Sequence, residues 1–128
     1  MILVDTSIWV DHLRGGDSLL AGLLGRGEVL VHPFVTGELA LGYIRQRDVI
    51  IRALSKLPQV MIANDREVLQ FIDLHALSGT GIGYIDAHLL AAVRLTAGTS
   101  FWTRDRRLFD IADRLGLAAS AARETKKQ

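Results

Sequence analysis

Asp5, Glu38, Asp86 and Asp105 are carboxylates set into apolar or glycine-marked stretches where an isolated charge is unfavourable. Asp5 ends the run Ile2-Leu3-Val4, Glu38 interrupts Phe34 to Leu41, Asp86 opens Ala87 to Val93, and Asp105 follows Phe101-Trp102-Thr103. An ionised carboxylate in such surroundings destabilises a fold unless a cation offsets it. One shared divalent ion would serve all four. Gathering them without it is costly, since unit charges ~4 Å apart repel by about 4 kcal/mol at an effective dielectric of about 20. An all-oxygen set, with no cysteine in the chain and no two histidines on one helix face, selects a hard cation, Mg²⁺ or Mn²⁺, over zinc or copper. A magnesium ion held by a few carboxylates keeps exchangeable waters, which become a nucleophile and seats for phosphate oxygens.

Each acid also has a simpler explanation. Asp86 and Asp105 fall in expected first helical turns, where the helix dipole favours an acid by about 0.3 to 1 kcal/mol. Asp5 suits a helix N-cap. Glu38 resists this account, lying too deep in its helix and having no basic residue within a turn.

The elements that must position these residues follow from patterning. Apolar runs rich in Val, Ile or aromatics predict strands at Ile2 to Asp5, Glu28 to Val31, Gln59 to Ile62 and Thr99 to Thr103. Helical patterns cover Ser7 to Leu13, Ser18 to Leu24, Pro33 past Glu38, Arg47 to Leu57, Asn64 to about Leu77, Tyr84 to Ala97 and Arg104 to Leu115. Alternating strands and helices predict an α/β fold with a parallel central sheet of about four to five strands. In open sheets of this kind ligand sites form at the carboxyl edge, where Asp5 and Asp105 both fall.

At 128 residues and 14.1 kDa the chain is expected to form a single domain over 1–128, with 118–128 a flexible tail or small edge element. Its 49% hydrophobic and 23% charged content is that of an ordinary globular protein. The chain opens on Met1-Ile2-Leu3-Val4 without a basic leader, and no apolar run approaches the roughly 18 residues of a membrane span. A soluble cytoplasmic protein is the expectation. A net charge of +1 does not by itself announce a nucleic-acid partner, but Arg104, Arg106 and Arg107 bracket Asp105, and Arg123, Lys126 and Lys127 crowd the end. Arginine is well shaped for bidentate phosphate contact, against the plainer reading of a solvated helix face.

The runs Val4-Asp5-Thr6-Ser7 with Trp9 and Asp11, Gly37-Glu38-Leu39-Ala40, Gly83-Tyr84-Ile85-Asp86-Ala87-His88-Leu89-Leu90 and Thr103-Arg104-Asp105-Arg106-Arg107-Leu108 together resemble a PIN-domain ribonuclease of the VapC toxin type. The motifs are short, but their order and spacing span almost the whole chain. The resemblance implies a PIN-like fold and a Mg²⁺- or Mn²⁺-dependent endoribonuclease with Asp5, Glu38, Asp86 and Asp105 as its acidic quartet. It also implies a cognate VapB-type antitoxin, and a homodimer is expected. Asp5, Asp86 and Asp105 are expected to contact the metal, and Glu38 either to join them or to orient the attacking water. Thr6, Ser7, Thr103, Arg104, Arg106 and Arg107 are candidate substrate-binding residues, the hydroxyls holding the water or a carboxylate.

Three alternatives stand beside this. A phosphoacceptor receiver domain has similar length and an acidic magnesium pocket, but wants an acidic pair after the first strand and a Lys after the last, where Asp5 stands alone and position 104 is Arg. A non-catalytic RNA-binding PIN module would not require all four acids. A nuclease acting on DNA is harder to separate by carboxylates alone. Gly79-Thr80-Gly81-Ile82-Gly83 lacks the ending of a phosphate-binding P-loop and reads as a rim to the cleft. His12, His32, His75 and His88 read as packing or surface residues. Trp9, Leu41, Tyr43 and Ile44 read as core, or as an apolar surface for a partner.

Overall fold

The computed structural model describes residues 1–120. The cluster Arg123, Lys126 and Lys127, and with it most of the expected tail, lies outside the described residues.

Three parallel strands form the sheet: β1 (Ile2–Val4), β2 (Val29–Leu30) and β3 (Ser100–Trp102), in the order β2-β1-β3. Leu3 is the pivot of the register, opposite Leu30 on one side and Phe101 on the other. The expected four to five strands are therefore three, each edge being extended by one parallel bridge: Val31 with Gln59, and Phe101 with Ala118. The reason at the first edge is local. His32 turns the chain out of the sheet by capping the next helix, and Pro33 has no N–H to offer a ladder. Beyond Val60 the neighbouring segment loses its partner, and the Met61 amide bonds the Thr96 hydroxyl instead (2.9 Å). At the other edge Phe101 donates to Leu117 and accepts from Ala119, so the start of the expected tail is an edge element.

Helices fill the crossovers: α1 (Thr6–Gly15), α2 (Ser18–Gly25), α3 (Pro33–Leu41), α4 (Arg47–Lys56), α5 (Asp65–Leu74), α6 (Tyr84–Leu95) and α7 (Arg106–Arg114). Three of them set the site. In α3, Val35 and Leu39 are one turn apart and buried, which leaves Glu38 on the exposed side. In α6, every residue from Ala87 to Val93 is buried, so this central helix fixes Asp86 at its start. In α7, Leu108, Phe109, Ile111 and Ala112 pack inward while Arg106 and Arg107 stay outside. The sheet and these inner faces share one continuous core in which Phe101 and Trp102 are fully buried, each such side chain contributing about 1.5 to 3 kcal/mol. No helix among the described residues is long and apolar enough to cross a membrane.

Candidate active site

Asp5 and Asp105 each follow a strand and open a helix. The Asp5 amide continues the ladder to Trp102 O (2.9 Å), and its Oδ1 then accepts from the Thr6 amide (2.8 Å) as the N-cap of α1. Asp105 caps α7, its Oδ1 accepting from the Leu108 amide (3.0 Å). Asp86 sits at the third position of α6 and reaches back to the Gly83 amide with Oδ2 (3.2 Å). So three of the four acids serve as caps. The caps and a shared site coexist, because each carboxylate oxygen has more than one acceptor direction.

Thr103 joins the two strand ends. Its hydroxyl donates to Asp5 Oδ2 (2.7 Å) and accepts from the Asp105 amide (3.1 Å), and the residue is almost wholly buried. Ser7 Oγ makes a longer bond to the same Asp5 oxygen (3.4 Å), while Thr6 Oγ1 donates to Glu38 Oε1 (2.8 Å) and so ties α1 to α3. Thr6, Ser7 and Thr103, candidates for substrate contact, thus spend their hydroxyls on carboxylates of the quartet.

Electrostatics link the quartet. Burial raises Asp5 above the ordinary carboxylate value, against the hydrogen bonds from Thr103 and Thr6, and the charge of Glu38 raises it further. Burial likewise raises Asp86, against the Gly83 amide, and the charges of Asp5 and Asp105 add to the rise. The four acids therefore lie within one another's fields at one end of the sheet. None of them is ion-paired with a described residue.

The donor set fits a hard divalent cation by its chemistry: all oxygen, mutually repelling, and without a basic side chain of its own. As the side chains stand, no three carboxylates or imidazoles among the described residues are gathered closely enough to chelate an ion. Mutual repulsion opposes a closer approach until positive charge is supplied.

The arginines divide. Arg104, expected to hold phosphate, is instead taken up by Asp11 on α1 and Asp17 at the cap of α2, with its guanidinium 5.9 Å from the Trp102 ring centre. Two carboxylates in reach hold it more firmly than solvent would. Burial works to raise Asp17, but the Leu20 amide and Arg104 outweigh it and hold Asp17 low. Arg106 and Arg107 remain exposed, and Arg107 lies across the glycine loop, where a Cβ at Gly81 would come within 2.6 Å of its Nη1. Gly81 also has φ +89°, a left-handed backbone that only glycine adopts without strain. The partners of Arg104 are 93 and 87 positions away, so no sequence spacing signalled them.

The histidines do not face the quartet as a group. His32 is fully buried, with Nδ1 accepting from the Phe34 amide (3.0 Å), and burial and then the nearby His88 lower it to about 4. His88 is also buried, with Nε2 3.1 Å from Asp65 Oδ1. Of the expected core residues, Trp9 is buried, but Leu41 and Tyr43 are exposed at the end of α3 and just beyond it. A receiver domain does not fit, since 62–64 bring no carboxylate to a strand end and Arg104 is already ion-paired.

Residues 2–114 match the family described as PIN domain. The chain is 49% identical over 108 residues to Ribonuclease VapC32 of Mycobacterium tuberculosis strain CDC 1551 / Oshkosh, covering 84% of this chain and 87% of that protein. The protein of the same name in strain ATCC 25618 / H37Rv is equally similar. With nearly its whole length matched in these ways, the chain belongs to the PIN-domain family, on its VapC-type branch.

Proposed function

We propose that this protein is a divalent-metal-dependent endoribonuclease, hydrolysing RNA phosphodiester bonds as the toxin of a toxin–antitoxin pair. The observation that carries the reading is the electrostatic convergence of Asp5, Glu38, Asp86 and Asp105 without a cationic partner among the described residues. Similarity to proteins named ribonuclease supports the same chemistry. Asp5, Asp86 and Asp105 would hold Mg²⁺, with Mn²⁺ able to substitute. When bound, such an ion makes water a better nucleophile at neutral pH and offsets charge on the phosphate.

The protein's own residues do the rest. Thr103 keeps Asp5 and Asp105 in register, and Ser7 supports Asp5. Glu38, exposed and fixed by Thr6, orients the attacking water or completes the ligand set. Water adds to phosphorus in line with the departing ribose oxygen, which leaves as the P–O bond breaks. Arg106 and Arg107, exposed at the start of α7 after Asp105, would hold phosphates flanking the cut. In this reading residues 1–128 are one functional unit, the partner is a VapB-type antitoxin, the chain pairs with a second copy, and it works in the cytoplasm.

The test is incubation of purified protein with labelled RNA and DNA strands in Mg²⁺, Mn²⁺ or chelator. Cleavage of RNA in either metal, abolished by chelator, is expected. Cleavage that persists in chelator, or of DNA alone, would contradict the reading.

A further inference from the structure

The loop from Gly79 to Gly83 is pinned on both sides of Gly81. Before it, the Thr80 hydroxyl and amide both donate to the Leu77 carbonyl (2.7 and 3.3 Å), and after it Ile82 packs against the core. Gly81 itself is exposed, and the Arg107 side chain lies along its bare Cα: a Cβ there would meet Nη1 at 2.6 Å, and Cδ and Cζ each at 3.3 Å. Gly79 differs. Its backbone is left-handed too, φ +77° against +89°, yet a Cβ at Gly79 would meet nothing within 4 Å. Backbone conformation accounts for both glycines, but only Gly81 must also leave room for a side chain.

This contact places a cation between the two segments that carry Asp105 and Asp86. Arg107 stands two residues after Asp105 in the first turn of α7, and the loop beneath it runs on to Gly83, whose amide holds Asp86 (3.2 Å). No ion pair among the described residues includes Arg107, so its charge stays available to a ligand. A long side chain loses rotamer freedom when it grips a ligand, and one already laid against a pinned loop loses less. Such preorganisation tightens binding without a new contact. A guanidinium suits two oxygens of one phosphate, which is the group an RNA backbone offers beside the acids.

We propose that Gly81 is a positioning residue: by lacking a side chain it seats the Arg107 guanidinium, which then receives a substrate phosphate beside Asp86 and Asp105. This rests on the ribonuclease reading and adds to it a residue that touches no substrate but sets one that does.

The test measures KM over a range of salt for an RNA that the parent cuts in Mg²⁺, with melting temperatures alongside. Arg107→Ala should raise KM about tenfold and lower the slope of log KM on log salt by about 0.7 to 0.9, the share of one phosphate contact. Gly81→Ala should raise KM and lower the slope in the same way, and the double variant should be no worse than Arg107→Ala alone. Gly79→Ala, with similar backbone strain and nothing to displace, should lose a similar amount of melting temperature but keep the parental KM and slope. If Gly81→Ala does not fold, Gly81→Asn carries the test, since asparagine tolerates a left-handed backbone yet still brings a Cβ. Parental KM and slope in Arg107→Ala or in the Gly81 variant, losses that multiply in the double variant, or a Gly79→Ala protein weakened as much as the Gly81 variant would overturn the proposal. A parent that cuts no RNA in Mg²⁺ or Mn²⁺ removes the ribonuclease reading itself, whereas cleavage with any of those results removes only the seat.

Discussion

Asp86 shows how one side chain can be both a helix cap and part of a charged site. Its Oδ2 accepts from the Gly83 amide, while burial and the charges of Asp5 and Asp105 all favour its protonated form. A raised carboxylate of this kind contributes stability that is present below the ordinary value of 3.8 and lost as pH rises through the folded value. At neutral pH without metal, the charged Asp86 is therefore destabilising, through its burial first and the repulsion of Asp5 and Asp105 second. Asp86→Asn keeps an oxygen for the Gly83 amide and removes the charge. In chelator at pH 7 the variant should melt no lower than the parent, and its relative advantage should disappear in acid, as scanning calorimetry would register. A fall of more than about 5 °C, equivalent to roughly 1 kcal/mol in a domain of this size, would assign Asp86 a structural role instead. The four acids were legible in the sequence because a charge inside an apolar run is an anomaly in itself. The bonds of Thr103 to both Asp5 and Asp105 were not, because they depend on the register of β1 against β3.

At the level of elements, the turn between β3 and α7 is held in place by Arg104. Its guanidinium fastens that turn to α1 through Asp11 and to the start of α2 through Asp17. The Asp17 end carries more of the effect, since that side chain is 14% exposed against 54% for Asp11, and exposed pairs are worth little. Arg104→Ala should cost about 1 to 2 kcal/mol, the range of charge-assisted hydrogen bonds at partly buried positions. Asp17→Asn preserves the cap to Leu20, so a double-mutant cycle of these two changes isolates the ion pair. Coupling of about 1 kcal/mol in urea melts is expected; strictly additive losses would mean that no clamp exists. The helices were legible because their signals are local: the Asn64–Glu67 capping box, Pro33 opening α3, and Gly116 at φ +73° just after α7. The Gln59 to Ile62 strand was misjudged for the converse reason. Its apolar residues suit a strand, but the neighbour it needs leaves the sheet at His32, and Met61 and Ile62 stay exposed.

Across the whole molecule, the described residues share one core, and two imidazoles are buried within it. His32 Nε2 has no hydrogen-bond partner there, so a proton on that ring would place an uncompensated charge among apolar neighbours. The folded value of His32, about 4 against an ordinary 6.5, means that its contribution is complete above 6.5 and lost as pH falls toward 4. At ~1.4 kcal/mol per pH unit the full effect is about 3 kcal/mol. Urea midpoints of the parent should therefore fall between pH 7 and pH 4.5 by more than those of His32→Asn, whose amide oxygen can still cap α3. Equal falls would contradict this. The α/β class was legible from the alternation of elements, whereas the exposure of Tyr43 and Leu41 was not, because they carry the composition of a core and the position of a surface. All of this converges on the claim that one end of the sheet is a carboxylate site for RNA cleavage. The most direct measurement is single-turnover cleavage of labelled RNA in Mg²⁺ by the parent and by a folded Asp5→Asn protein. The predicted result is a rate lowered at least a hundredfold, about 2.7 kcal/mol of lost transition-state stabilisation, with melting temperature retained; cleavage by Asp5→Asn at the parental rate would contradict it.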